Sequence, residues 1–131
     1  MIPVDQEFTN SAPGDCVRAC VASLLELPLA HVPNFASAPG DDQGPLIDAL
    51  QEFLAPRGLY YAETAVRAAD LPDIAAQYLH GHHLLIGQTP SGGRHCVVGR
   101  AGEQVHDPHP LRRGVLPIAG DYFVVGLICH G

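Results

Sequence analysis

Cys16 stands where turn residues meet an apolar run. In PGDCVRACVASLLEL, residues 13–27, a Pro-Gly-Asp turn leads into a stretch whose only polar side chains after the cysteine are Arg18, Ser23 and Glu26. That pattern sets Cys16 at a helix N-terminus, where unpaired backbone N–H groups and the positive end of the helix dipole favour a thiolate over a thiol. A thiolate attacks carbonyl carbon, and the neighbouring carboxylate of Asp15, which can cap the helix, would oppose that thiolate unless it turns away to do so. A small core cysteine would fit the same position, so the case for chemistry rests on what else the chain brings to it.

A nucleophilic thiol needs a base, and the base needs a group that fixes its tautomer. His95 follows the Gly92-Gly93 turn at the head of RHCVVGR, and Asp107 closes the next run, EQVHD. A hairpin centred on Ala101-Gly102 sets position 95 opposite 107 or 108, and a bulge would shift this by one residue. Asp107-Pro108 is also a ready turn starter. Upstream, the Gln6 side chain offers an N–H₂ that could join the Cys16 backbone N–H in holding an oxyanion; a surface residue in a frayed terminus is the alternative.

The order of these parts, Gln, then Gly-x-Cys on a helix, then His-x-Val-Val and Asp-Pro on two strands, resembles the papain-like cysteine peptidases and lies nearest to their small C39-like branch. GDCVRACVASLLEL, HCVVGRAGEQVHDP and the Asp5-Gln6 pair carry the resemblance. It implies an α+β papain-like domain spanning residues 1–131, its N-terminal Cys helix packed against a C-terminal antiparallel sheet. Cys16 is then the nucleophile, His95 the general base and acid, Asp107 the group that orients His95, and Gln6 the oxyanion donor. The implied reaction is hydrolysis of a peptide, isopeptide or other amide bond through a thioester, on a peptide or protein substrate and with no cofactor. An amine acceptor would make the same triad a transglutaminase-like acyltransferase. The fold kept without turnover would be a binding or regulatory module.

The elements that must position these residues are legible in the patterning. Arg18, Ser23 and Glu26 fall on one arc of the Cys16 helix, so the rest of its surface is apolar and the helix should be central and mostly buried; Pro28 ends it. A loop around Gly40-Asp41-Asp42 precedes a second, amphipathic helix that opens at Pro45, buries Leu46, Ile47, Leu50, Phe53 and Leu54, and stops at Pro56 and Gly58. LYYAETAV reads as a strand, LPDIAAQYL as a short helix, and HHLLIGQT, RHCVVGR, EQVHD and YFVVGLIC as strands parted by Gly- and Pro-bearing turns. Helices first and a mostly antiparallel sheet after argue α+β rather than a βαβ repeat. The stretches around Asn34 to Gly44 and His109 to Gly114 are expected to rim the cleft.

Composition narrows the function classes. A chain of 131 residues, 47% hydrophobic and 16% charged, suits one globular domain, and a net charge of −7 with seven Lys and Arg leaves no basic patch for nucleic acid or anionic membrane. No secretory pattern opens the chain and no run approaches a membrane span, so a cytoplasmic protein with reduced thiols is expected. Cys20, Cys96 and Cys129 lie in apolar patterns and read as packing residues. Eight histidines and four cysteines raise a zinc-stabilised domain as a rival, but paired CxxC or HxxxH spacings are missing, so no metal is expected. The HGHH stretch, residues 80–83, reads as a polar strand edge, and Asp41, Asp42, Asp48 and Glu52 as a solvated acidic surface.

Overall fold

A computed structural model describes residues 1–9, 14–35 and 44–129. Helix α1 (Cys16–Leu25) begins at the cysteine itself, and Glu26, in left-handed backbone with its N–H on Ala22 O, ends it ahead of Pro28. There follow α2 (Gly44–Leu54), β1 (Leu59–Arg67), α3 (Leu71–Tyr78), β2 (His82–Gln88), β3 (Arg94–Arg100), β4 (Glu103–His106) and β5 (Asp121–Cys129). The architecture is α+β. The five strands stand in the order β1-β5-β2-β3-β4, and every neighbouring pair is antiparallel. The Gly40-Asp41-Asp42 loop lies outside the described residues.

Alternation along the strands divides the core in two. Leu84, Ile86, Cys96, Val98 and Val125 pack beneath α1 and α2, joined by Cys20, Val21, Ala22, Leu50 and Leu54 from the helices. Leu85, Val97 and Val124, one residue out of phase, face the other way and are covered by Leu71 and Ile74 of α3 and by Val115. The centre of the sheet, β2 and β3, is therefore buried on both faces, which is why LLIG and CVVG are continuously apolar rather than alternating. Helix on one face only would be a two-layer arrangement; α3 makes a third layer.

Arg18 and Ser23 of the polar arc are covered, and Glu26, just past the end of α1, is exposed. Ser23 is fully buried, donating its hydroxyl to Ala19 O (2.8 Å) and accepting the Val4 N–H (3.0 Å). Arg18 donates from Nε to Val32 O (2.6 Å) and sets Nη1 3.3 Å from Glu7 Oε2. Residues 1–8, an extended strap, dock along this arc: Ser23 satisfies the Val4 N–H, Glu26 meets the Met1 ammonium and Arg18 the Glu7 carboxylate.

β3 and β4 form the expected hairpin. Ala101 and Gly102 both take positive φ, 51° and 82°, the signature of a tight I′ turn, and Arg100 pairs with Glu103 and Gly99 with Gln104. A bulge then intervenes, and Val98 pairs with His106. The expected direct opposition of positions 95 and 107 is thereby shifted off register, and Asp107 lies just beyond the last ladder pair. His83, directly opposite Gly99, is buried rather than part of a polar edge. Its Nε2 accepts the Gly102 N–H (3.1 Å) and its Nδ1 donates to Leu84 O (3.0 Å), which fixes the neutral tautomer with the proton on Nδ1. Among the described residues no helix is long and apolar enough to cross a membrane.

Candidate active site

Cys16 occupies the first turn of α1, half-buried, where its backbone N–H has no partner within the helix. Asp15 precedes it at the N-cap position, 1% exposed, but its carboxylate caps nothing in the helix. It turns back onto the strap: Oδ2 accepts the Glu7 N–H (3.0 Å) and Oδ1 the Phe8 N–H (2.9 Å), with Arg18 Nη1 3.4 Å away. The expected side-chain cap is thus replaced by a long-range one. Two amide donors and a guanidinium disperse the charge of Asp15, which is how a buried carboxylate stands beside the thiol position.

His95 and Asp107 meet on the sheet side. His95 Nε2 lies 2.7 Å from Asp107 Oδ1, both residues buried. Burial opposes the imidazolium, but the Asp107 hydrogen bond, and with it the Cys16 thiol within interaction range, outweighs burial and raises the His95 pKa to about 9. For Asp107 burial likewise works against the charged form. The His95 bond and the N–H groups of His109 and Gly114 overcome it and hold the carboxyl at about 2. With Nε2 committed to Asp107, Nδ1 is the ring nitrogen left for the thiol.

Asp107 is both the turn starter and the partner of His95. Oδ1 also accepts the His109 N–H two residues on (2.9 Å), an Asx-turn, and Oδ2 accepts the Gly114 N–H (2.8 Å). The Arg112 guanidinium donates to Asp107 O and forms a bidentate pair with Asp5 at 2.7 and 3.0 Å. His106 Nε2 donates to Val4 O (2.9 Å) and the Gln6 N–H to Pro108 O (3.0 Å). The strap therefore holds α1 through Asp15 and Ser23 with one set of bonds and the Asp107 loop with another. Asp5 and Arg112 carry no local sign of this in the sequence, because the pairing joins two exposed charges 107 residues apart.

Gln6 is drawn to the site by its backbone and not by its amide. Its Nε2 donates to Phe8 O (3.0 Å), while Oε1 is buried without a partner, alone among the buried side-chain nitrogens and oxygens of the described residues. Cys20 and Cys96 are buried in the core, where burial, reinforced by the neighbouring Cys96, pushes the Cys20 thiol well up. Cys129 is exposed at the end of β5, so it is not the packing residue its pattern indicates. All four thiols are free.

A small cavity of about 110 Å³ opens beside His95, lined by Thr89, Ser91, His109, Leu111 and Arg113. The expected rim from His109 to Gly114 is thus in place, whereas 36–43 of the other rim lie outside the described residues. Among the described residues no three His, Cys, Asp or Glu side chains gather as metal ligands. Comparison with family models, with curated proteins and with solved structures returns no match to this chain.

Proposed function

We propose that the protein is a cysteine-dependent amide hydrolase of papain-like design, acting on a peptide, isopeptide or related amide through a Cys16 thioester. The observation that carries the reading is the buried His95–Asp107 pair beside a thiol at a helix start. An imidazole whose far nitrogen is locked to a carboxylate has its near nitrogen free to take the thiol proton and later return it to an amine. Asp15, whose charge beside the thiol would oppose a thiolate, is engaged by Glu7, Phe8 and Arg18.

In the proposed cycle Cys16 Sγ, its proton held on His95, bonds to the carbonyl carbon. The oxyanion is met by the Cys16 N–H, and by the Gln6 amide once it turns from Phe8 O; its unpartnered Oε1 leaves that amide poorly anchored where it is. The C–N bond breaks as His95 protonates the departing amine, and water then releases the acid. An amine in place of water would make the same step an acyl transfer.

The test is alkylation by iodoacetamide at neutral pH, read by peptide mass spectrometry. Cys16 is expected to label faster than the exposed Cys129, with Cys20 and Cys96 inert in the folded chain. His95→Ala should remove the advantage of Cys16. Labelling of Cys16 no faster than Cys129, and indifferent to His95, would sink the reading.

A further inference from the structure

The cavity beside His95 holds hydrogen-bond donors and a cation that no carboxylate engages among the described residues. It is lined by His95, but Cys16 does not line it. In acyl transfer the acyl part bonds to the thiol and the leaving amine abuts the group that protonates it. A cavity walled by the imidazole and not by the thiol therefore belongs to the leaving group.

Apart from Asp107, its polar side chains offer donors or positive charge. Arg113 is exposed and has no carboxylate partner among the described residues, unlike Arg112, which is engaged by Asp5 and Asp107. His109 Nδ1 accepts the Leu111 N–H (3.1 Å), so its proton resides on Nε2 as a further donor. Thr89 and Ser91 add hydroxyls, 3.0 Å apart. The one acid in the lining, Asp107, has Oδ1 occupied by His95 and the His109 N–H, and Oδ2 by the Gly114 N–H. Nothing in the lining neutralises Arg113, in a chain whose net charge is −7.

We propose that this cavity binds the carboxylate of the leaving group, and that the substrate is an acyl–amino acid whose scissile nitrogen belongs to a single small residue with a free α-carboxylate. An amino acid carries its carboxylate two bonds from its nitrogen, the short reach needed to touch His95 and Arg113 in one small space. The volume, about 110 Å³, has room for one small residue beside His95. The assignment rests on the hydrolase reading of Cys16. In the reaction the C–N bond breaks, the nitrogen takes the His95 proton and the free amino acid departs. Water then cleaves the C–S bond of the thioester, giving the acid and restoring the thiol.

The experiment titrates N-acetylglycylglycine and N-acetylglycylglycinamide into the full-length Cys16→Ala chain, following the His109 ring resonances. The acid is expected to bind at least about tenfold more tightly than the amide, the scale of one hydrogen bond to a charged group. Arg113→Gln, a change at an exposed side chain, should bring the acid down to the level of the amide. Equal binding of the two probes, or no His109 response to either, would overturn the carboxylate site. Discrimination without Cys16-dependent release of glycine by the wild-type chain supports the carboxylate site and overturns the acyl–amino acid as substrate, while the hydrolase reading is overturned separately by the Cys16 alkylation.

Discussion

His95 and Asp107 stand 2.7 Å apart, Nε2 to Oδ1, although no ladder pair of the sheet joins them. The bulge at Val98/Gly99 ends regular pairing at His106, and the Asx-turn at Asp107 swings the carboxylate back to the imidazole. Asp107→Asn should therefore lower the His95 pKa from about 9 toward its ordinary 6.5. An NMR titration of the His95 ring measures this, and an unchanged titration would show that Asp107 is not what holds the proton. The same substitution leaves the Gly114 N–H facing an amide N–H₂ or unpaired, at a cost of about 1–3 kcal/mol in urea unfolding.

The same pair dictates a pH window for stability. The raised His95 pKa contributes stability that is whole below 6.5 and is lost as pH climbs through about 9. The lowered Asp107 pKa contributes above 3.8 and is lost as pH falls through about 2. Unfolding free energy measured against pH should keep this contribution in full between 3.8 and 6.5 and shed it on both sides, and His95→Gln should flatten the alkaline decline. A decline above pH 6.5 that survives His95→Gln would place its origin elsewhere.

Asp15→Ala removes the acceptor for two strap amides at once. Leaving the part-buried Glu7 and Phe8 N–H groups without their acceptor is expected to cost about 1–3 kcal/mol, and hydrogen exchange at both amides should quicken. Asp15→Asn, which keeps one acceptor oxygen, should fall between wild type and the alanine variant. Slow exchange at both amides in the alanine variant would mean that the strap is held without Asp15.

Gly99 is required by its cross-strand neighbour. A Cβ at that position would come 2.4 Å from His83 Cε1, and the ring is fixed by Gly102 and Leu84. Gly99→Ala should cost about 1–3 kcal/mol by forcing the ring aside. Weakening of the Gly102 hydrogen bond, seen as faster amide exchange at the hairpin turn, should accompany the loss. A thermal midpoint equal to wild type would show that the ring has room to move.

Burial holds His83 neutral, its pKa lowered, and this outweighs the bond to Leu84 O. A base whose folded pKa lies below its unfolded value contributes nothing adverse above the unfolded pKa of 6.5. It withdraws stability as pH falls below that value, because the unfolded chain takes the proton more readily. Acid weakening beginning near pH 6 and removed in a folded His83→Gln variant is the expected result.

Much of this fold can be read from local pattern. The apolar runs place β2, β3 and β5 close to their bounds, and Pro28, Pro56 and Gly58 mark where helices stop. Hairpin arithmetic brings His95 near Asp107, but the bulge that sets their true geometry has no marker in GRAGEQVHD, residues 99–107. Asp15 reads as a cap because a cap is the local use of an N-terminal carboxylate; its partners at Glu7 and Phe8 belong to a strap whose path only the whole fold determines. Cys129 and Ser23 depart from their patterns for one reason. Alternation says which side of an element a residue takes, and packing decides whether that side is covered.

Val4 and His106 are hydrogen-bonded across 102 residues of sequence. Contacts of such span close late, since the entropy of a long loop must be met before they form. A chain synthesised from its N-terminus exposes the cysteine early and receives its imidazole only when β3 arrives, and the carboxylate behind it later still. Completion of the sheet is what sets His95 and Asp107 beside it, so an unfinished chain carries the thiol without the pair.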